Sequence, residues 1–449
     1  NWCGSRCFDG MRSLWKPLAC CALCVLLGAL EQTPAQTVGI SKKRVPADPD
    51  ESARNGLLAA AQAAIDRKDF QAAAQIYQDF LAQHPDEASA HFQLGYTYTA
   101  MQRPVEAKTE YEKAISLDPK MAPAYLNLGL TVLENDPRAA VAPLEKAAEL
   151  APDQARPRFL LGLALERSGR LPAAIEQYEA AEKLDDKDFD TRIFLGRALL
   201  GADRAGDAEP HFRAALLLRS DSGPAHLGLA QCLVAESKLE AAVGELATYL
   251  EAKPNDTQAR VERASALVSL GRNDDALAEL DRAAAAAPEG VGALKLRSQV
   301  YFEKNRYDDA VPVLRNAVAL APQDPEIPAR LGHLYLKKKD YPNAVRELVV
   351  AFKMAPNATD VLGDLVAAQY LNKNYPAALE GLDLLSKREP LPAGSWFIRA
   401  TCYDRLGQPA QALDGYQRFL QLNKDQNNDM YFEATARART LTRELQNKR

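Results

Sequence analysis

Alanine stands at residues 73, 107, 140, 174, 208, 242, 276, 310, 344, 378 and 412, and every step but one is 34 residues. The exception, Ala107 to Ala140, is 33. A single globular core has no use for one small residue kept in phase over most of a chain. A stack of repeated two-helix modules does, because a small side chain is needed wherever two helices cross closely. The spacing therefore predicts an all-α array and steers function toward binding.

With Arg54 as position 1, the alanines fall at position 20 and other positions come into phase. Position 8 is small: Gly95, Gly129, Gly162, Gly196 and Gly332, with Ala61, Ala230, Ala264, Ser298 and Ala400 in other units. Position 24 is large: Tyr77, Tyr111, Leu144, Tyr178, Phe212, Leu246, Leu280, Leu314, Leu348, Leu382 and Tyr416. Small residues at 8 and 20 let the two helices approach, and the residue at 24 fills the space beside them. Proline at position 32 (Pro85, Pro119, Pro152, Pro254, Pro288, Pro322, Pro356, Pro390) closes the second helix, which it cannot continue. Gly169, Gly271 and Gly407 at position 15 mark the end of the first helix, where a left-handed residue is wanted. Pro104, Pro172, Pro342, Pro376 and Pro409 then open the second helix, where a missing N–H costs little. The third unit lacks one residue in this turn, at Glu134-Asn135-Asp136-Pro137.

Stretches such as Phe92-Gln93-Leu94-Gly95-Tyr96-Thr97-Tyr98, followed by Ala107, Tyr111, Ala114 and Pro119, resemble the tetratricopeptide repeat family. The resemblance covers residues 54–426 as eleven units. It implies an all-α, right-handed superhelical solenoid of helix-turn-helix repeats. Asp186, Ser220 and Lys424 replace the closing proline, and Arg263 stands where leucine is usual, so those units are expected to be looser at their edges.

Outside the repeats the composition changes. Met11-Arg12-Ser13-Leu14-Trp15-Lys16 is a short basic start, followed by an apolar run over residues 18–30. That run suits a secretory signal and is short for a bilayer span. Residues 1–35 are read as a leader starting at Met11 and cleaved after Ala29 or Ala35, with membrane anchoring by the apolar segment as the alternative. The expected location is therefore periplasmic or secreted. Cys3, Cys7, Cys20, Cys21 and Cys24 lie in this leader, and Cys20, Cys21 and Cys24 lack the flanking residues that lipid attachment wants. Residues 36–53, with Lys42-Lys43-Arg44 and two prolines, read as a flexible charged linker. At the other end, Tyr431, Ala434, Ala438, Leu441 and Leu445 form a stripe at helical spacing, and residues 427–449 are read as a capping helix over the last apolar face.

Chemistry is sparse. The chain carries a net charge of −5 with no long basic stripe, which argues against nucleic acid as a partner. No two of His84, His91, His211, His226 and His333 stand four apart on one helix, and neither a phosphate loop nor a Gly-x-Ser-x-Gly elbow occurs. Cys232 and Cys402 share position 10, five units apart, beyond disulfide reach, and read as buried thiols. No cofactor, metal or catalytic residue is expected. With repeats filling the chain between leader and cap, an attached catalytic domain is not expected either.

In the tetratricopeptide family the concave surface is formed mainly by positions 2, 5, 6, 9, 12 and 13 of the first helix. At these positions the resemblance nominates Phe92, Tyr96, Leu126, Asn127, Phe159, Phe194 and Arg197 in the first half, and Lys295, Arg330, His333 and Lys337 in the second. The first set is apolar, the second more basic, and exposed apolar patches mark binding sites. One subclass grips a chaperone's terminal carboxylate with a Lys/Asn/Arg clamp. Here Asn127 and Arg156 occupy two such places, but Phe92, Tyr96 and Leu160 occupy others, so the clamp is not assembled. The reading that results is a non-enzymatic scaffold in the cell envelope, holding an extended peptide or a helix of a protein partner along its groove. The alternative is a structural subunit of an envelope machine for polysaccharide or protein export, in contact with membrane proteins.

Overall fold

The register set by the alanines is also the register of the helices. The computed structural model describes residues 49–423, 425 and 428–447. The readings made of the leader, its five cysteines, the Met11 start, most of the linker and Lys424 lie outside the described residues.

Among the described residues the first helices of the units are α1 (Pro49–Asp66), α3 (Ala88–Ala100), α5 (Ala122–Leu133), α7 (Ala155–Arg167) and α9 (Phe189–Gly201). They continue as α11 (Gly223–Ala235), α13 (Thr257–Ser269), α15 (Val291–Glu303), α17 (Glu326–Lys337), α19 (Thr359–Leu371) and α21 (Ala393–Arg405). The second helices are α2 (Phe70–Gln83), α4 (Pro104–Leu117), α6 (Pro137–Leu150), α8 (Leu171–Leu184), α10 (Ala205–Leu218) and α12 (Leu239–Ala252). The remaining ones are α14 (Asn273–Ala286), α16 (Tyr307–Leu320), α18 (Tyr341–Met354), α20 (Tyr375–Ser386) and α22 (Pro409–Leu422), and α23 (Asp429–Asn447) stands alone at the end. Helix α1 begins at Pro49, ahead of Arg54 and inside the stretch read as linker.

All eleven position-20 alanines are fully buried, and every position-24 side chain from Tyr77 to Tyr416 is buried to within 2% of complete. The reason for a small residue at position 8 is steric. A Cβ on Gly95 would lie 2.8 Å from the Tyr111 ring, one on Gly162 2.7 Å from Tyr178, and one on Gly332 2.4 Å from Leu348. The tenth unit inverts this arrangement. It carries Val366 at position 8, and room for its Cγ2 comes from Gly381, where a Cβ would lie 2.5 Å away.

Every described residue with a left-handed backbone falls at position 15: Lys68, Gln102, Gly169, Asp203, Ser237, Gly271, Asn305, Lys339, Lys373 and Gly407. Each closes its first helix with the same two bonds, as at Gly271, whose N–H reaches the Val268 carbonyl while Arg272 N–H reaches Leu267. The third unit has no such residue. Its one missing residue is the left-handed one, and Asp136 N–H bonds Val132 while the Asp136 carboxylate caps α6 through Ala139 N–H at 3.0 Å.

Two compact units are distinguished, one ending at His84 and one beginning at Pro85. In the second, each first helix packs on its own second helix and, from α5 onward, on the second helix before it. First helices of successive units also touch repeatedly, among them α3 and α5, α9 and α11, and α17 and α19, and no comparable approach joins successive second helices. The first helices therefore line the tighter side of this unit. Helix α23 lies on α22, burying Ala434 and Leu441 in a cluster with Phe397, Tyr416 and Phe419, as a capping helix should.

Three of the units expected to be looser, those with Asp186, Ser220 and Arg263, keep regular helices. Helices α8 and α10 end at Leu184 and Leu218, the same position as in every unit closed by proline except the tenth. Arg263 is tied through Nη1 to Glu279 at 2.8 Å. Glu279 is nearly fully buried and also takes Arg260 and Arg282, both at 2.7 Å, so the guanidinium replaces leucine by neutralising a buried carboxylate.

Candidate functional site

The nominated groove residues all lie on first helices, but stacking divides them into those that are covered and those that are not. Phe159 is buried at 7% exposure, as are Leu163 and Ile193 beside it. Phe159 is therefore part of the core, where it meets Tyr178 at 5.8 Å and the edge of Phe194 at 5.3 Å between ring centres. Phe92, Tyr96, Leu126, Asn127, Phe194 and Arg197 stay half-exposed.

Two tyrosines from second helices, neither nominated from the sequence, organise this strip. Phe92 packs on Tyr111 with ring centres 5.9 Å apart, and the Tyr111 hydroxyl lies 3.0 Å from Thr99. Burial pushes the Tyr111 phenol up to about 12 against the hydrogen bonds with Thr99 and Asn127. Tyr178 donates to Glu166 at 2.7 Å, and burial together with that carboxylate drives its phenol well above the ordinary value. Arg197 lies over the Phe194 ring at 5.3 Å, a cation–π contact that leaves the guanidinium edge free to donate. Their signal in the sequence is position 24 itself, where an aromatic residue reaches past the core to the exposed ring beside it.

The basic second half is less basic than its composition suggests. Lys295 is held by Asp324 at 2.9 Å and by Glu326, and Arg330 meets the same Glu326 at 2.7 Å. His333 Nδ1 lies 3.3 Å from Asp364, with the Phe302 ring 5.2 Å away on centres. Lys337 sits over that ring at 6.0 Å and is exposed. Lys295 and Arg330 are thus largely neutralised in place, whereas Lys337 keeps an open charge. Between the halves, burial raises the Glu262 carboxyl, which is bonded by Gln258 at 3.3 Å. The contacts thus gather Phe92 and Asn127 at Tyr111, and Phe159, Phe194 and Arg197 at Tyr178. They also link Lys295 with Arg330 through Glu326, and His333 with Lys337 through Phe302.

Cys232 and Cys402 are fully buried, and burial pushes both thiols up to about 12. Among the described residues no group of three or more His, Cys, Asp or Glu side chains is arranged to hold a metal ion. No helix among them is long and apolar enough to cross a membrane. Two shallow clefts border α6 on the second-helix side. One is lined by Ile115, Tyr125, Leu128 and Pro143, the other by Arg138, Val141 and Arg170.

An array of helix pairs with small residues at their crossings and a terminal cap defines an α-helical repeat scaffold. Models of the tetratricopeptide repeat match residues 64–130, 133–189, 199–261, 261–325, 301–351 and 395–425, and the chain belongs to that family. Its members are typically non-catalytic scaffolds that bind proteins and peptides. No curated protein matches the chain. Among solved structures it is similar to YrrB, described as a TPR protein with an unusual peptide-binding site, at 24% identity and TM-score 0.39, over 41% of this chain and 96% of that one. It is similar also to MamA from Desulfovibrio magneticus RS-1, at 22% identity and TM-score 0.36, over 38% of this chain and 96% of that one. A third is PilF of Pseudomonas aeruginosa, at 21% identity and TM-score 0.39, over 46% and 93%.

Proposed function

We propose that the array holds an extended peptide or a helix of a protein partner along the first helices of its second to fifth units, and that it does so in the cell envelope after export. The observation that carries this reading is the strip Phe92, Tyr96, Leu126, Leu130 and Phe194, apolar or aromatic side chains left half-exposed on a helix face that is otherwise packed. Each could bury further apolar area on a ligand at roughly 25 cal/mol per Å2, with Asn127 and Arg197 placed to orient the backbone or a polar side chain. Envelope location is supported by the order of basic start, apolar run and small residues in 1–35.

The test is site-specific photocrosslinking in the native cells. A photoreactive residue at Leu126 or Phe194 is expected to capture a partner. The same residue at Leu217, 90% exposed on α10, is expected not to. Equal capture at both places, or capture at Leu217 alone, would remove the groove from the proposal. A reporter fused after Ala35 is expected to be active only outside the cytoplasm.

A further inference from the structure

Arginines on the first helices from Pro85 onward divide into two groups. Arg192 meets Glu182, Arg260 and Arg263 meet Glu279, Arg297 meets Glu289, Arg330 meets Glu326 and Arg399 meets Asp383, at distances between 2.7 and 3.0 Å. Among the described residues, those with no carboxylate partner are Arg156, Arg158, Arg167, Arg197 and Arg405, and four of these five lie on α7 and α9. Arg158 is at position 4, off the groove, and Arg405 is exposed in the last unit. Arg156 opens α7, eleven residues before Arg167, or about 16 Å along the helix. Arg167 and Arg197 remain, half-buried at positions 13 and 9 of successive units.

Both guanidinium groups gather at one tyrosine. Arg197 lies over the Phe194 ring at 5.3 Å, and Phe194 packs on Tyr178 with ring centres 6.1 Å apart. Each arginine also acts on the Tyr178 phenol, opposing the rise that burial and Glu166 impose. The neighbouring carboxylate does not neutralise them. Glu166 accepts from the Tyr178 hydroxyl at 2.7 Å and forms no ion pair with either arginine. Asp190, the other carboxylate at a groove position of these two helices, stands seven residues before Arg197, about 10 Å along α9. Two cations without a counter-charge thus border packed aromatic rings, where a charge interacts more strongly than in open water.

We propose that the ligand of this groove presents an internal Asp or Glu side chain, set among apolar residues, to Arg167 and Arg197. The proposal rests on the groove reading above and names the chemistry that selects among its ligands. Apolar burial on Leu126 and Phe194 rewards any hydrophobic segment alike, whereas two guanidinium groups reward a carboxylate through charge-assisted hydrogen bonds. An arginine already laid on a ring gives up little freedom when that carboxylate arrives. The acid belongs inside the ligand because half-exposed apolar side chains continue on both sides of the pair. Tyr96, Leu126 and Leu130 precede it, and Leu227 and Val234 on α11 follow it. A chain that ended at the arginines would leave one side bare.

The probe is a random peptide library, fused to phage through its C-terminus and selected on the full-length protein. Selected sequences are expected to carry Asp or Glu within apolar residues. Selection on an Arg167→Gln/Arg197→Gln variant is expected to keep the apolar residues and lose the acid. Titration of one selected synthetic peptide then reads the contact. Replacing its acid by the amide is expected to weaken binding to the wild type by about 10-fold or more and to change little on the variant. Amidating its C-terminus is expected to change nothing. Equal acid content in both selections, an amide peptide that binds as well, or a loss on terminal amidation overturns the inference. A Leu126→Asn variant reports on the groove separately. Peptides that depend on Leu126 but carry no acid leave the groove reading standing and remove only this one, whereas peptides indifferent to Leu126 remove both. The acid-to-amide comparison on the wild type decides the matter even if the double variant fails to fold.

Discussion

At the scale of single residues, position 15 carries the most exacting demand in the repeat. Ten units place a left-handed residue there, and only three spend glycine on it. Asp203 and Asn305 tolerate that conformation through their short polar side chains, whereas Lys68, Gln102, Ser237, Lys339 and Lys373 are held in it by the two bonds that close the helix. Sequence could reveal the glycines but not the lysines, because nothing in a lysine advertises a positive φ; only its phase does. Substitutions here should act in opposite directions. Gly271→Ala meets no atom within 4 Å and should cost about 1 kcal/mol through backbone strain alone, while Lys339→Gly should gain about as much. Denaturant titration of both variants measures the two signs, and a loss in both would mean that position 15 is not under strain.

At the scale of helix pairs, the small-large contact between positions 8 and 24 was legible from the alanine phase, and so were the turns and the cap. The exchange in the tenth unit was not. Val366 reads as a departure until Gly381 is seen across from it, because compensation between two helices leaves no local trace. Gly381→Ala should destabilise by about 1–3 kcal/mol through overpacking, and Val366→Ala in the same chain should recover much of that loss. A double-mutant cycle with no coupling would contradict the contact. The groove was half legible for a related reason. Family positions name which side chains start out facing inward, but the next unit decides which are covered, and it covers Phe159 while leaving Phe194. Composition likewise showed the cations of the second half and not Asp324, Glu326 and Asp364 beside them.

At the scale of the array from Pro85 onward, cohesion passes from neighbour to neighbour and is uneven. Helices α14 and α15 pack least closely of the consecutive pairs in this unit. What bridges them is Arg297, itself buried, which bonds Asp281 at 2.5 Å and Glu289 at 2.8 Å. Arg297→Leu should therefore speed amide exchange in α15 by roughly 5- to 30-fold, the equivalent of about 1–2 kcal/mol, and leave α5 to α9 unchanged. Hydrogen exchange read by mass spectrometry separates this from a uniform loss across the array. The third unit has a different consequence. A perfectly periodic surface is degenerate: a ligand shifted by one repeat would find nearly the same contacts, and its position would be undefined. The unit with 33 residues breaks that translational symmetry. It lacks the left-handed turn of the other ten, carries Leu126 and Leu130 on one side, and borders both clefts on the other. For the ligand proposed above, one missing residue would serve as an address, the fixed origin from which positions along an otherwise repetitive ruler are counted.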